Sequence, residues 1–167
     1  YHNDFLYKQA NSPRSYDIVL YGSGLETEKL EGKVDYKGFV SSDELIATAE
    51  GEYGLAWYGS SLEGGSGALG EYLQYNAPHK MSLYIRCGLP IIVWEKAGLA
   101  PFVKKNNVGI CISSLTELED ILPKISAGQY MEMKKNVLQI ADKLSHGYYC
   151  FKAIKQACAD LGGEIKG

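Results

Sequence analysis

Four polar residues fall within six positions of one another, at Tyr75, Asn76, His79 and Lys80, with Pro78 among them. Pro78 sits where a helix N-terminus belongs, and Met81, Tyr84 and Ile85 recur at helical spacing up to Gly88. Lys80 is then in the first turn of a helix, where a cation works against the helix dipole. The placement is better explained if Lys80 meets an anion, such as a diphosphate, that also accepts the unpaired N–H groups of the helix end. Asn76 can donate or accept a hydrogen bond, and Tyr75 offers a flat face to a base or sugar. A solvated Lys beside an Asn cap and a turn Pro accounts for the same residues, and composition by itself ranks that plainer account slightly ahead.

Other candidates carry less. His79 has only His2 and His146 for company, too scattered for a metal site, and no carboxylate near it in sequence. A structural or ligand-contact role suits it better than acid–base chemistry, and no residue is assigned as catalytic. Glu63 and Glu71 flank a Gly/Ser stretch, where glutamates are usually just solvated. Gly22-Ser23-Gly24 follows an apolar run, but no third Gly stands at Thr27 to complete the dinucleotide fingerprint. A strand-ending turn is at least as good a reading there as a phosphate cradle.

These residues need elements to hold them. Strands are predicted at Asp17–Tyr21, Lys33–Phe39, Tyr53–Tyr58, Pro90–Trp94 and Val108–Ser113, short runs rich in Val and Ile. Helices are predicted at Asp43–Glu50, capped by the Ser two residues before Glu44, and at Pro78–Gly88, Leu99–Asn106 and Ser114–Ile125. Two more cover roughly Gly128–Leu144 and Tyr148–Leu161, and Gly59–Gly70 reads as a mobile loop. Strands alternating with helices call for an α/β, Rossmann-like parallel sheet with helices on both faces. In such sheets ligands bind beyond the carboxyl ends of the strands.

The chain has 167 residues, enough for one domain with a substantial core. Its 46% apolar and 22% charged residues argue against disorder, and a net charge of −3 predicts no nucleic-acid footprint. No apolar run reaches the ~20 residues that cross a bilayer. Cys87, Cys111, Cys150 and Cys158 show no metal spacing; the first three have apolar neighbours and read as small buried hydrophobes of a reducing cytosol. The chain starts without Met, which is expected of a piece of a longer protein.

Asn76–Val93, NAPHKMSLYIRCGLPIIV, resembles the donor-site helix of GT-B glycosyltransferases. It is most similar to a bacterial group that includes galactofuranosyltransferases and the glucosyltransferase 3 type that acts on surface adhesins. Asn76, Pro78, His79, Lys80, Ser82 and Tyr84 occupy that group's N-x-P-H-K-x-S-x-Y pattern. Tyr21–Gly24 looks like the group's first strand and turn, Val34–Leu45 like its second strand and continuation, and Gly54–Tyr58 like the strand before a mobile donor loop.

The resemblance implies that residues 1–167 form the nucleotide-sugar-binding C-terminal half of a GT-B fold, acting from the cytoplasm or the inner face of the membrane. A UDP-sugar is the implied substrate, with no cofactor and no metal. An absent N-terminal domain would bring a glycan or glycoprotein acceptor. Phe39 and Val40 would border the base, and Asn76 and Lys80 would contact ribose or diphosphate. Tyr75, His79, Ser82, Gly22, Gly24 and Tyr58 complete the implied donor site. Leu83 departs from the pattern, because many GT-B enzymes place there a Glu that binds the ribose hydroxyls; Ser82, Asn76 or another group must then serve. Two alternatives stand beside this reading. One is a nucleotide-sugar epimerase of the same fold; the other is a non-catalytic domain whose tyrosines and C-terminal helices build a homo-oligomer or hold another partner.

Overall fold

Ile91–Trp94 is four apolar residues in a row, and alternation along a strand sends them to opposite sides. Ile91 and Val93 join one buried cluster, while Ile92 and Trp94 join another. A strand buried on both faces is the centre of a covered parallel sheet. The structure, a computed structural model describing residues 4–30 and 34–162, places it there.

Among the described residues there are five strands: β1 (Val19–Tyr21), β2 (Asp35–Gly38), β3 (Gly54–Ala56), β4 (Ile91–Trp94) and β5 (Gly109–Ile112). These strands pair with one another only in parallel, as predicted, but they form two sheets. β1 pairs with β2, whereas β3, β4 and β5 make a three-stranded sheet in that order. Residue patterns report burial and not strand partners, so this division was not readable from them.

The helices are α1 (Asp4–Asn11), α2 (Ser42–Thr48), α3 (Gly67–Tyr72), α4 (His79–Arg86), α5 (Ala100–Asn106), α6 (Leu118–Ile121), α7 (Ala127–Ser145) and α8 (Tyr148–Asp160). One face of the three-stranded sheet is covered by α4, α5 and α7 through Met81, Ile85, Val103, Val137 and Ile140. The other packs on Phe5 of α1, with Leu73, Leu115 and Leu118. Each such side chain, fully buried, contributes about 1.5–3 kcal/mol.

Several local expectations shift. The cap of α2 is Ser41, one residue earlier than predicted, and its hydroxyl accepts from the Glu44 amide at 3.3 Å. The segment predicted as one helix over Ser114–Ile125 is a 3-10 turn at Leu115–Glu117, then α6, then a second 3-10 turn at Leu122–Lys124. Pro123, lacking an N–H, interrupts the ladder there. α7 begins with a capping box, in which Ser126 and Gln129 exchange side-chain and backbone bonds. Cys150 is exposed, not buried, because α8 buries none of its residues. Lys33, the first residue of the second predicted strand, lies outside the described residues.

Gly59–Gly70 differs most from expectation. It is packed, not free, and its end turns into α3. A Cβ at Gly64 would lie 2.0 Å from the Trp94 ring, and one at Gly65, where φ is +74°, would lie 2.1 Å from it. The glycines let this loop lie flat on the indole at the carboxyl end of β4.

The seat of α4 is equally close. A Cβ at Gly54 would come within 2.3 Å of Tyr84 Cγ, so the Tyr84 ring lies directly on β3. Gly54→Ala is expected to lower stability by about 1–3 kcal/mol through overpacking. Thermal unfolding checks it, with Gly128→Ala, which meets only the Ser126 hydroxyl at 3.9 Å, as the tolerated comparison.

Candidate functional site

Four observations fix the position of the Lys80 region. Pro78 closes the approach to α4 in an extended conformation, and no side chain caps the helix start. The first-turn amides of His79 and Lys80 have no carbonyl one turn back within the helix, so that end is rich in N–H donors. Met81 and Ile85 are buried and pull one side of α4 into the core. Tyr84 lies against β3, and burial pushes its phenol up to about 12.

Lys80 lies one turn before Tyr84 on the same side of the helix. Its Nζ sits 5.1 Å from the centre of the Tyr58 ring, a cation–π distance. Lys80 is exposed, yet the protein on one side of it lowers its pKa from the ordinary lysine value by partial desolvation. No carboxylate contributes to that shift. Lys37 makes the contrast: it pairs with Asp35 at 2.9 Å and Glu50 at 3.0 Å, and its pKa is raised. A cation held over an aromatic ring with no carboxylate against it retains its charge for an anion.

Lys80 lines a cleft of about 1500 Å³ between the two sheets. Gly22, Ser23 and Gly24, at the end of β1, line it too, as do Leu83 and Tyr84 of α4. Gly22 and Gly24 take φ of +140° and +78°, and no atom lies within 4 Å of where a side chain would begin. The Gly22 amide is already used, donating to the Gly38 carbonyl at 2.8 Å, while its carbonyl accepts from the Tyr36 hydroxyl at 2.8 Å. At Gly22 the residues therefore act as a strand-ending turn, the plainer of the two readings. Leu83 presents an apolar wall to the cleft.

The structure thus places Lys80, Gly22 and Gly24 on the lining of one cleft, with the Tyr58 ring beside Lys80, and leaves the other candidates, Tyr58 included, outside that lining. Tyr75 and Phe39 are 85% and 77% exposed. His79 and Ser82 are exposed on α4, and Asn76 and Val40 are half-buried. The Asn76 amide donates to the Tyr72 carbonyl at 3.1 Å, closing the turn that enters α4. Glu63 is held by Ser114, whose hydroxyl donates to its carboxylate at 3.1 Å, and so has a structural task. Sequence reasoning did not find Tyr84 as a wall of the cleft; the one signal was a Gly opening an apolar strand, at Gly54.

A partly desolvated cation with no carboxylate partner among the described residues costs some stability. Because the unfolded chain holds the Lys80 proton more tightly, stability gained from this group rises with pH between its lowered pKa and the ordinary lysine value. Lys80→Met is expected to leave the unfolding temperature at pH 7 unchanged or higher and to remove that part of the pH dependence. Paired melting curves of the two proteins from pH 7 to 10.5 check it.

The chain matches, over residues 2–157, the family described as "Glucosyltransferase 3-like, C-terminal domain". It is 34% identical over 148 residues to a beta-1,6-galactofuranosyltransferase of Escherichia coli, covering 87% of this chain and 44% of that protein. It is 28% identical over 137 residues to Glucosyltransferase 3 of Streptococcus gordonii, covering 81% and 40%. A third relative, Glucosyltransferase 3 of Streptococcus parasanguinis, is 20% identical over 143 residues, covering 85% and 41%. The chain spans about two fifths of the length of the curated relatives it matches. The parallel α/β architecture, the helix entered through Pro78 and a family match across nearly the whole sequence agree: this chain belongs to the glucosyltransferase 3-like C-terminal domains.

Proposed function

We propose that the chain is the nucleotide-sugar-binding domain of a bacterial glycosyltransferase, with a UDP-sugar as donor. The remainder of the longer protein would bring the acceptor, a cell-surface glycan or glycoprotein. The observation that carries the reading is Lys80, an unpaired cation at an uncapped helix N-terminus on the wall of a large cleft. Glycosyl transfer needs the leaving nucleoside diphosphate stabilised as the bond to the sugar breaks and negative charge builds on it. Lys80 and the first amides of α4 supply that stabilisation in place of a metal ion. Galactofuranosyl and glucosyl transfer, the activities named for the relatives, are the two reactions this reading brings to the chain.

The ribose is served by Asn76 or Ser82, because Leu83 has no acceptor at the position where a carboxylate is common. Phe39 and Tyr75, whose rings face solvent, are free to stack on the base. No Asp-x-Asp stands in the chain, in keeping with a metal-independent transfer.

Titrating the isotope-labelled chain with UDP is expected to shift the resonances of Lys80 and Asn76. Lys80→Ala should weaken binding by about tenfold or more, the ~1.5–3 kcal/mol of a charged hydrogen bond. Absence of any shift at millimolar UDP would count against the donor site. In the full-length enzyme, transfer should persist in excess EDTA; activity lost to EDTA and restored by a divalent cation would contradict the metal-independent step.

One observation favours a second task beside binding. α8 leaves Tyr148, Phe151 and Ile154 exposed, and Leu161 beyond it. An uncovered apolar stripe of this kind suits self-association through the C-terminal helices. Sedimentation of the chain should then show concentration-dependent dimers that Ile154→Lys abolishes, with UDP binding intact; a monomer at all concentrations would remove the idea.

A further inference from the structure

Lys80 is the cation that the donor-site reading depends on, and something has to hold it in place while no anion is present. Lysine has four rotatable side-chain bonds and a strongly hydrated head, so an unpaired one ordinarily sweeps through solvent. Carboxylates are the usual restraint, but among the described residues none acts on Lys80. The group within reach is the ring of Tyr58, 5.1 Å from Nζ.

Tyr58 is well placed to serve as a fixed platform. It stands two residues beyond β3, at the strand's carboxyl end. It is half-buried and packs against the cluster that contains Trp57, Ile92 and Trp94. Its phenol lies near enough to that of Tyr84 for the two to interact electrostatically, which puts a second ring, one helical turn after Lys80, beside the same place. The ring is therefore held by β3, whereas Lys80 comes from α4. We propose that Tyr58 is a positioning residue, whose ring face seats the Lys80 ammonium at the mouth of the cleft and leaves it without a counter-anion until the diphosphate arrives. The diphosphate clause rests on the donor-site reading; the seating itself does not.

An aromatic seat differs from a carboxylate in a way that suits the task. The negative face of the ring attracts the cation without neutralising it, and a π face makes no directional hydrogen bond that must be broken. An Asp in the same place would hold Lys80 more firmly but compete with a diphosphate and repel it. Burial disfavours the charged amine, and the ring face offsets part of that effect.

The test compares Tyr58→Phe, which keeps the face, with Tyr58→Leu, which keeps an apolar side chain and loses it. Lysines carrying 13C-labelled methyl groups report the Lys80 environment by NMR without any ligand. In the unmodified sequence and in Tyr58→Phe, the Lys80 signals should be shifted upfield by the ring. In Tyr58→Leu the upfield shift should vanish and the Lys80 pKa should move further down. UDP affinity should then fall about three- to fivefold in Tyr58→Leu and stay unchanged in Tyr58→Phe, with the pH above which binding is lost moving down in Tyr58→Leu. Equal Lys80 shifts and pKa values in all three proteins would overturn the proposal, as would an equal loss in Tyr58→Phe, which would assign the effect to the hydroxyl. Ligand-free signals that behave as expected while UDP fails to bind any of the three would uphold the seat and defeat the donor-site reading instead.

Discussion

The contact between Tyr84 and Gly54 is the constraint on which the site depends. A ring lying where a Cβ would otherwise be lets α4 approach β3 closely, and Met81 and Ile85 fix the rotation of the helix about its axis. With height and rotation both set, Lys80 can only emerge beside the carboxyl end of β3, where Tyr58 lies. The position of the cation thus follows from hydrophobic packing one turn away. A side chain larger than Gly at 54 would lift the helix and carry the cation with it.

Electrostatics then completes what packing begins. The chain has more acidic than basic residues, yet no carboxylate among the described residues pairs with Lys80. Lys37, held between Asp35 and Glu50, shows that ion pairing is available elsewhere in the same fold. The uncompensated charge at Lys80 stands beside a helix end whose amides are uncapped, so two sources of positive potential converge on one wall of the cleft. The proposed diphosphate site thus rests on local charge placement and not on net charge.

Much of this was readable in the residues, and the parts that were not share a cause. Pro78 and Gly88 bracket α4 to within two residues, because Pro and Gly mark helix ends whatever surrounds them. The buried run at 91–94 announced a covered strand for the same local reason. Features that need two distant segments to meet stayed hidden. Gly64 and Gly65 look like flexible linker residues until Trp94, about thirty positions away, is seen beneath them. The partition into two sheets, the packing of α1 against the second face and the pairing of Lys80 with Tyr58 are likewise contacts across sequence. Ser41 in place of Ser42 as the cap is a smaller matter of register, one serine against its neighbour in sequence. At the candidate site, Lys80 stands out in the sequence through its conflict with the helix dipole. Phe39 and Tyr75 were selected for their chemistry, but the fold leaves both facing solvent.

The central claim is that a diphosphate is held between Lys80 and the first amides of α4. A crystal structure of the chain bound to UDP tests it most directly. The account predicts phosphate oxygens within hydrogen-bond distance of Lys80 Nζ and of the His79 or Lys80 amide, at about 2.7–3.1 Å. A diphosphate bound elsewhere, with the Lys80 ammonium still over the Tyr58 ring and no contact to the start of α4, would contradict it.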